Sequence, residues 1–200
     1  MLTNISTSLV SIVYNYQLMR IAHENGVSAY GVIMYVGFIF MAFFFGYAIG
    51  VNPIVGYNYG AQRNSELRNI LRKSLVLTAA ASVLMFTVAT VFAGGIADIF
   101  VGYDRELLEI TSNALRIYSF YLLFAGFNIF GSAFFTGLNN GKISAIISSV
   151  RTLVVQMAAV IFLPMILGIN GIWIAPAVAE LVTLFITAAF LISNKSRYNY

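Results

Sequence analysis

Hydrophobic positions in this chain run in long, nearly unbroken blocks, and the polar residues fall in short clusters between them. The blocks cover about 1–22, 30–60, 73–97, 111–138, 143–167 and 171–193. Each is long enough to cross a hydrocarbon core of about 30 Å as a helix, which takes about 20 residues. Only helices and closed barrels satisfy their backbone groups in lipid. The pattern therefore predicts an all-α, polytopic membrane protein: one bundle of six transmembrane helices. Asn25-Gly26 predicts the first turn. The second block exceeds one bilayer crossing and must tilt, bend or protrude. Pro164 kinks or ends the fifth block, Gly168 to Gly171 forms an uncharged turn, and Pro176 lies in the first turns of the sixth. Trp173 is expected at a membrane interface.

Composition sharpens this reading. Hydrophobic residues make up 60% of the chain and charged residues 9%, against about 25% charged in soluble domains. The mean hydropathy is +0.87. The formal net charge of +4 is small and scattered, which points away from nucleic acid. The most basic stretch, with Arg63, Arg68, Arg72 and Lys73 against Glu66, follows the second block. Further basic residues follow the fourth and sixth blocks, and the acidic segment Asp104 to Glu109 follows the third. The positive-inside rule then predicts both termini in the cytoplasm of a cell whose plasma (inner) membrane holds the chain. Asp104 is placed to cap the fourth helix.

There is no cysteine and one histidine, so thiolate metal sites and disulfides are excluded. No nucleophilic triad, phosphate loop or metal-ligand cluster is visible, so neither an enzyme nor a cofactor or metal is expected. The first block is rich in polar residues, among them Asn4, Ser6, Ser8, Ser11, Asn15 and Gln17. Such groups face a cavity or hydrogen-bond to neighbouring helices. Arg151 and Glu180 interrupt the fifth and sixth blocks. Adjacent antiparallel helices can bring them together, either as structural glue or as a coupling or gating pair.

The stretch Asn52-Pro53-Ile54-Val55-Gly56-Tyr57-Asn58-Tyr59-Gly60-Ala61 closes the second block. Pro53 is expected to bend that helix. Gly46, Gly50, Pro53, Gly56 and Gly60 share a stripe of about 120° at helical spacing. The stripe reads as a packing seam or as one side of a mobile, cavity-lining helix. Asn52 and Tyr59 lie about 20° apart on the wheel and are expected to face a cleft, with Tyr57 joining the glycines.

This decapeptide resembles the Q-P-I-x-x-Y-N-Y-G-A signature of multidrug and toxic compound extrusion (MATE) transporters, with Asn52 in place of the glutamine. Phe134 to Lys142, Arg151, and Gly168 to Trp173 followed by Glu180 resemble later segments of the family's carboxy-terminal half. The resemblance implies one lobe of a two-lobe exporter driven by inward H+ or Na+ flow. It also implies a missing amino-terminal lobe, or a second copy, as partner. Some members carry coupling acids on the helices that match the first and fourth blocks. This chain has Asn15, Gln17 and Asn128 there, which fits members whose acid lies in the amino-terminal lobe. Asn15, Gln17, Asn52, Tyr59 and Asn128 are thus the candidate cleft residues, and Arg151 with Glu180 the candidate coupling pair. Tyr14, Tyr16, Tyr57, Tyr59 and Phe127 offer faces to amphipathic cationic small molecules. A flippase for lipid-linked saccharides, a membrane scaffold and an inactive fragment are the alternatives.

Overall fold

The computed structural model describes the backbone of residues 2–200 and the side chains of residues 8–200. Asn4 and Ser6 lie outside the described side chains. Among the described residues the chain is helical with no strand. Five continuous stretches are long and apolar enough to cross a membrane: Ser8–Gly60, Asn64–Val91, Arg105–Gly137, Gly141–Leu167 and Ile169–Ser193.

The first helix, α1 (Leu2–Gly60), carries non-helical dihedrals at His23 (φ 52°, ψ −148°). The rings of Tyr14 and Tyr30 nevertheless stack with centroids 5.0 Å apart. Sixteen positions of straight helix would separate them by about 24 Å. The chain therefore doubles back at His23, and α1 is two antiparallel limbs. The reversal falls before Asn25-Gly26, which are themselves helical. Gly26 serves the crossing instead, because a Cβ there would lie 2.6 Å from Ala22 Cβ. The backbone at Pro53 stays helical.

Only Ala61 to Arg63 link α1 to α2 (Asn64–Val91). Arg68, Arg72 and Lys73, expected around a loop, sit on the first turns of α2. Glu66 in the first turn suits the helix dipole, and fully buried Leu67 anchors the helix start. A break at Phe92 leads into α3 (Ala93–Val101). The next helix starts at Arg105, where Asp104 Oδ1 accepts from the backbone N–H groups of Glu106 (3.0 Å) and Leu107 (3.1 Å). It runs as α4 (Arg105–Tyr118), a tight turn at Ser119–Tyr121, and α5 (Leu122–Gly137). Then come α6 (Gly141–Ser149), a wide π-type turn at Val150–Val155, α7 (Gln156–Leu167), α8 (Ile169–Ser193) and the short α9 (Lys195–Tyr198). Pro164 and Pro176 are accommodated inside α7 and α8. Gly168, with φ +57°, makes the α7–α8 turn in a conformation that suits glycine.

The central element is α5, which packs against α1, α2, α6 and α8. A Cβ on Gly137 would lie 2.8 Å from Val55, so this glycine sets how closely α1 approaches. Trp173 does not lie on the outer surface where an interfacial ring is expected: it is buried in the core with Tyr14, Leu18, Ile172 and Val160. The tail folds back on the end of the bundle. Asn140 Nδ2 donates to the Tyr198 hydroxyl (2.8 Å), and the Tyr200 hydroxyl donates to the Leu191 carbonyl (2.9 Å). Many large apolar side chains, including Ile99, Ile166, Phe185 and Ile192, point outward. That surface is suited to lipid, and the chain is a multi-pass membrane protein.

Candidate functional site

Glycine at 131 lets α8 approach α5, because a Cβ there would collide with Thr187 Cγ2. At this contact the buried Asn128 side chain makes all of its tertiary bonds to α8. Its Nδ2 donates to the Glu180 carbonyl and to Glu180 Oε2, both at 2.8 Å. Its Oδ1 accepts from Thr187 Oγ1 at 2.8 Å. The other carboxylate oxygen of Glu180, Oε1, lies 3.5 Å from Arg151 Nη1. That nitrogen has no hydrogen-bond partner among the described residues, so the contact is Coulombic. Arg151 lies in the π-type turn, whose wider winding re-aims a side chain relative to the helices on either side. The result is a polar chain of four residues across three helical segments, the π-type turn, α8 and α5: Arg151, Glu180, Asn128, Thr187.

Two clefts meet at this chain. One, of about 380 Å³, lies between the second limb of α1, α5 and α6, with Asn52, Asn128, Ser132, Thr136 and Arg151 on its walls. The other, of about 240 Å³, is lined by Tyr30, Phe38, Tyr118, Tyr121, Gln156 and Glu180. Arg151 and Phe45 line both. A ladder of hydroxyls joins α5 to α6 beside the first cleft. Ser132 Oγ is 2.9 Å from Ser144 Oγ and 3.0 Å from Ser148 Oγ, and Thr136 Oγ1 donates to Ser144 Oγ at 2.8 Å. The clefts thus combine aromatic faces, neutral hydrogen-bonding groups and one compensated charge pair.

The sequence model of the MatE family matches residues 1–162. The chain belongs to the MatE family. It is 21% identical over 200 residues to "Probable multidrug resistance protein YoeA" of Bacillus subtilis, covering 98% of this chain and 43% of that protein. Two solved structures share the fold. One is described as an outward-facing conformation of a multidrug resistance MATE family transporter of the MOP superfamily (TM-score 0.91, 21% identity, 99% of this chain and 45% of that one). The other is a MOP superfamily transporter from Pyrococcus furiosus (TM-score 0.89, 20% identity, 100% of this chain and 45% of that one). The MatE chain described here therefore spans a little under half the length of the proteins it matches.

The MatE fold disperses the residues singled out in the sequence. Asn52 lines the first cleft, its Nδ2 donating to the Ala133 carbonyl at 3.0 Å. Asn128 lines it too. Asn15 instead faces outward and donates to the Ser11 carbonyl of its own helix, and Gln17 is buried away from both clefts. Tyr59 lies outside the cleft, edge-on to Tyr198 at 5.6 Å, because the tail occupies that end of α1. Tyr57 does not join the glycines: it is exposed beneath Arg63, whose guanidinium carbon is 5.6 Å from the ring centroid. The glycine stripe is not a packing seam among the described residues. Open space faces Gly46, Gly50 and Gly60, and only Gly56 meets a neighbour, the Gly137 carbonyl. Tyr14 is core, Tyr16 is exposed, and Phe127 faces a different groove.

Sequence reasoning missed Thr187, the Ser132–Ser144–Ser148 ladder and the aromatics Tyr30, Phe45, Tyr118 and Tyr121. The pairs Ser144/Ser148 and Thr183/Thr187 repeat a small hydroxyl at i, i+4, which marks one helix face. The aromatics carried no comparable signal among so many others.

Proposed function

We propose that this chain is the carboxy-terminal lobe of a secondary multidrug and toxin exporter working by cation-coupled antiport. Membership in the MatE family points to a transporter rather than an enzyme. The observation that carries the reading is the meeting of two clefts at Phe45 and Arg151, where Arg151 is also one half of the partly buried Arg151–Glu180 charge pair. In this reading the clefts form one wall of the translocation path. Phe45, Tyr30 and Phe38 offer ring faces to amphipathic cations, and Asn52 and Asn128 offer neutral hydrogen bonds. The Arg151–Glu180–Asn128–Thr187 chain is the element whose rearrangement couples to H+ or Na+. The opposing wall is an amino-terminal lobe or a second copy, since alternating access in such repeat-built folds rocks one bundle against another. In this reading the chain sits in the inner (plasma) membrane, and the positive-inside rule supports a cytoplasmic basic end with both termini.

The test is dye transport in liposomes under an imposed proton or sodium gradient. The 200-residue chain alone should not move ethidium, and the chain joined to the amino-terminal lobe of a MATE exporter should. Glu180→Gln in the joined protein should uncouple efflux from the gradient. Full gradient-driven efflux by the Glu180→Gln protein would remove Glu180 from coupling. No efflux from any joined pair that assembles would refute the transport reading.

A further inference from the structure

On α2, α5 and α8 a second kind of groove opens, about 520 Å³ in volume and lined by none of α1, α6 or α7. Its two long walls are helical stripes. On α2 they are Arg68, Leu71, Arg72, Leu75 and Val76, spaced i, i+3, i+4, i+7, i+8; on α8 the stripe runs from Leu184 through Ala188 to Ile192, with Lys195 just beyond it at the start of α9. At 1.5 Å per residue the α8 stripe from Leu184 to Ile192 is about 12 Å long. That is close to the depth of one leaflet, half of a core of about 30 Å. Its interior is hydrocarbon. Its two hydroxyls are already engaged, Thr187 Oγ1 donating inward to Asn128 and the Tyr200 hydroxyl donating to the Leu191 carbonyl, and Phe127 forms part of the lining.

The mouth is chemically different. Arg68, Arg72 and Lys195 ring it, all exposed. None of the three has a carboxylate within ion-pair distance among the described residues, where Arg151–Glu180 is the pair that forms. A shallower depression of about 390 Å³ continues outward from the mouth over Arg68, Lys195, Ser196 and Asn199, with Tyr200 shared by both. The groove therefore joins uncompensated positive charge at the level of the headgroups to an apolar slot one leaflet deep. A soluble anion would leave the slot empty. A neutral lipid would leave the cations unanswered. Basic pockets between helices are suited to anionic lipid headgroups.

We propose that this groove binds one anionic glycerophospholipid, its phosphate between Arg68, Arg72 and Lys195 and one acyl chain along the stripes of α2 and α8. The lipid would tie the first turns of α2 to the last turn of α8 and the tail. Because Thr187 backs the groove and bonds to Asn128, occupancy would also brace the polar chain from behind. The proposal does not depend on the transport reading.

The test is native mass spectrometry and thermal unfolding of the full chain in a neutral detergent. The probes are dioleoylphosphatidylglycerol, dioleoylphosphatidylcholine and soluble glycerol phosphate. The phosphatidylglycerol adduct should form roughly tenfold to a hundredfold more tightly than the phosphatidylcholine one, as expected for three surface cations, and should raise the melting temperature. Glycerol phosphate should do neither. The variant Arg68→Gln/Arg72→Gln/Lys195→Gln should lose the preference. Ala188→Trp, which fills the slot, should lose the lipid adduct with the cations intact. Arg63→Gln/Arg105→Gln/Lys142→Gln, which removes as many charges elsewhere, should keep the preference. Equal binding of the two lipids, a preference that survives the mouth variant, or glycerol phosphate binding as tightly as the lipid would each overturn the proposal.

Discussion

Replacing Glu180 by alanine removes a carboxylate that faces Arg151 on one side and Asn128 on the other. Breaking a fully buried pair by deleting one partner costs about 3–5 kcal/mol. Two features of this site reduce that figure. The Arg151 side chain is 17% exposed and lines both clefts, so water can reach the stranded guanidinium. Asn128 also keeps one of its acceptors, because the Glu180 carbonyl belongs to the backbone. The expected loss is therefore about 2–3 kcal/mol. Arg151→Ala strands the carboxylate instead, but Asn128 still donates to it, so its cost should be smaller. The double variant strands neither charge and should lose less than the sum, with a coupling energy of about 1–2 kcal/mol. Glu180→Gln keeps an acceptor for Asn128 and loses only the charge, so it should fall between wild type and Glu180→Ala. The assay is equilibrium unfolding in mixed dodecylsulfate and maltoside micelles, followed by circular dichroism. Losses that add to within about 0.3 kcal/mol would show that the two charges do not interact, and would refute this reasoning.

Single cysteines at Ser65 and Asn140 should be blocked only by reagents that cross the membrane, and one at Tyr103 by impermeant ones; external labelling at Ser65 would reverse the proposed orientation. Gly137→Ala should cost about 1–3 kcal/mol in the same unfolding assay, because the new methyl meets Val55 in a packed contact, and an unchanged melting temperature would show that α1 and α5 can part freely. Tail docking should be lost at strongly alkaline pH. Burial and the neighbouring Tyr198 push the Tyr200 phenol up from 10 to about 12. The docked tail therefore favours the protonated phenol: docking is fully present below about pH 10 and lost as pH rises through about 12. Tyrosinate absorbance and proteolysis of the tail should report the release together, and a tail still protected after Tyr200 ionises would contradict it.

Long apolar blocks made the helical membrane fold legible, since lipid allows no other use of such segments without a closed barrel. The reversal at His23 was not, because a single left-handed residue leaves no mark in a hydrophobic pattern, whereas Asn25-Gly26 imitates a turn. The helix start at Asn64 was obscured because its charged first turns read as loop until the buried anchor Leu67 is seen, whereas Asp104 was legible as the cap of the fourth helix and does cap it. Arg151 and Glu180 stood out as charges in apolar runs. Asn128 stood out as one polar residue in an apolar block, but its role as the joint between Glu180 and Thr187 needed the α5–α8 contact that Gly131 permits. The wheel put Asn52 and Tyr59 on one side; the tail, packed against Tyr59, separates their surroundings. Trp173 misled for a general reason: the interfacial preference of tryptophan is statistical, and here the ring fills the core beside Tyr14.

The central claim is that the two clefts joined at Phe45 and Arg151 form the solvent-lined wall of a drug pathway. The chain has no cysteine of its own, so a single one reports cleanly. Phe45→Cys, in the protein joined to an amino-terminal lobe, should react with a membrane-impermeant, water-soluble maleimide and be protected by ethidium. Ile166→Cys, on the outward apolar face, should react slowly with or without ethidium. Equal and ethidium-insensitive labelling at the two positions would contradict the account.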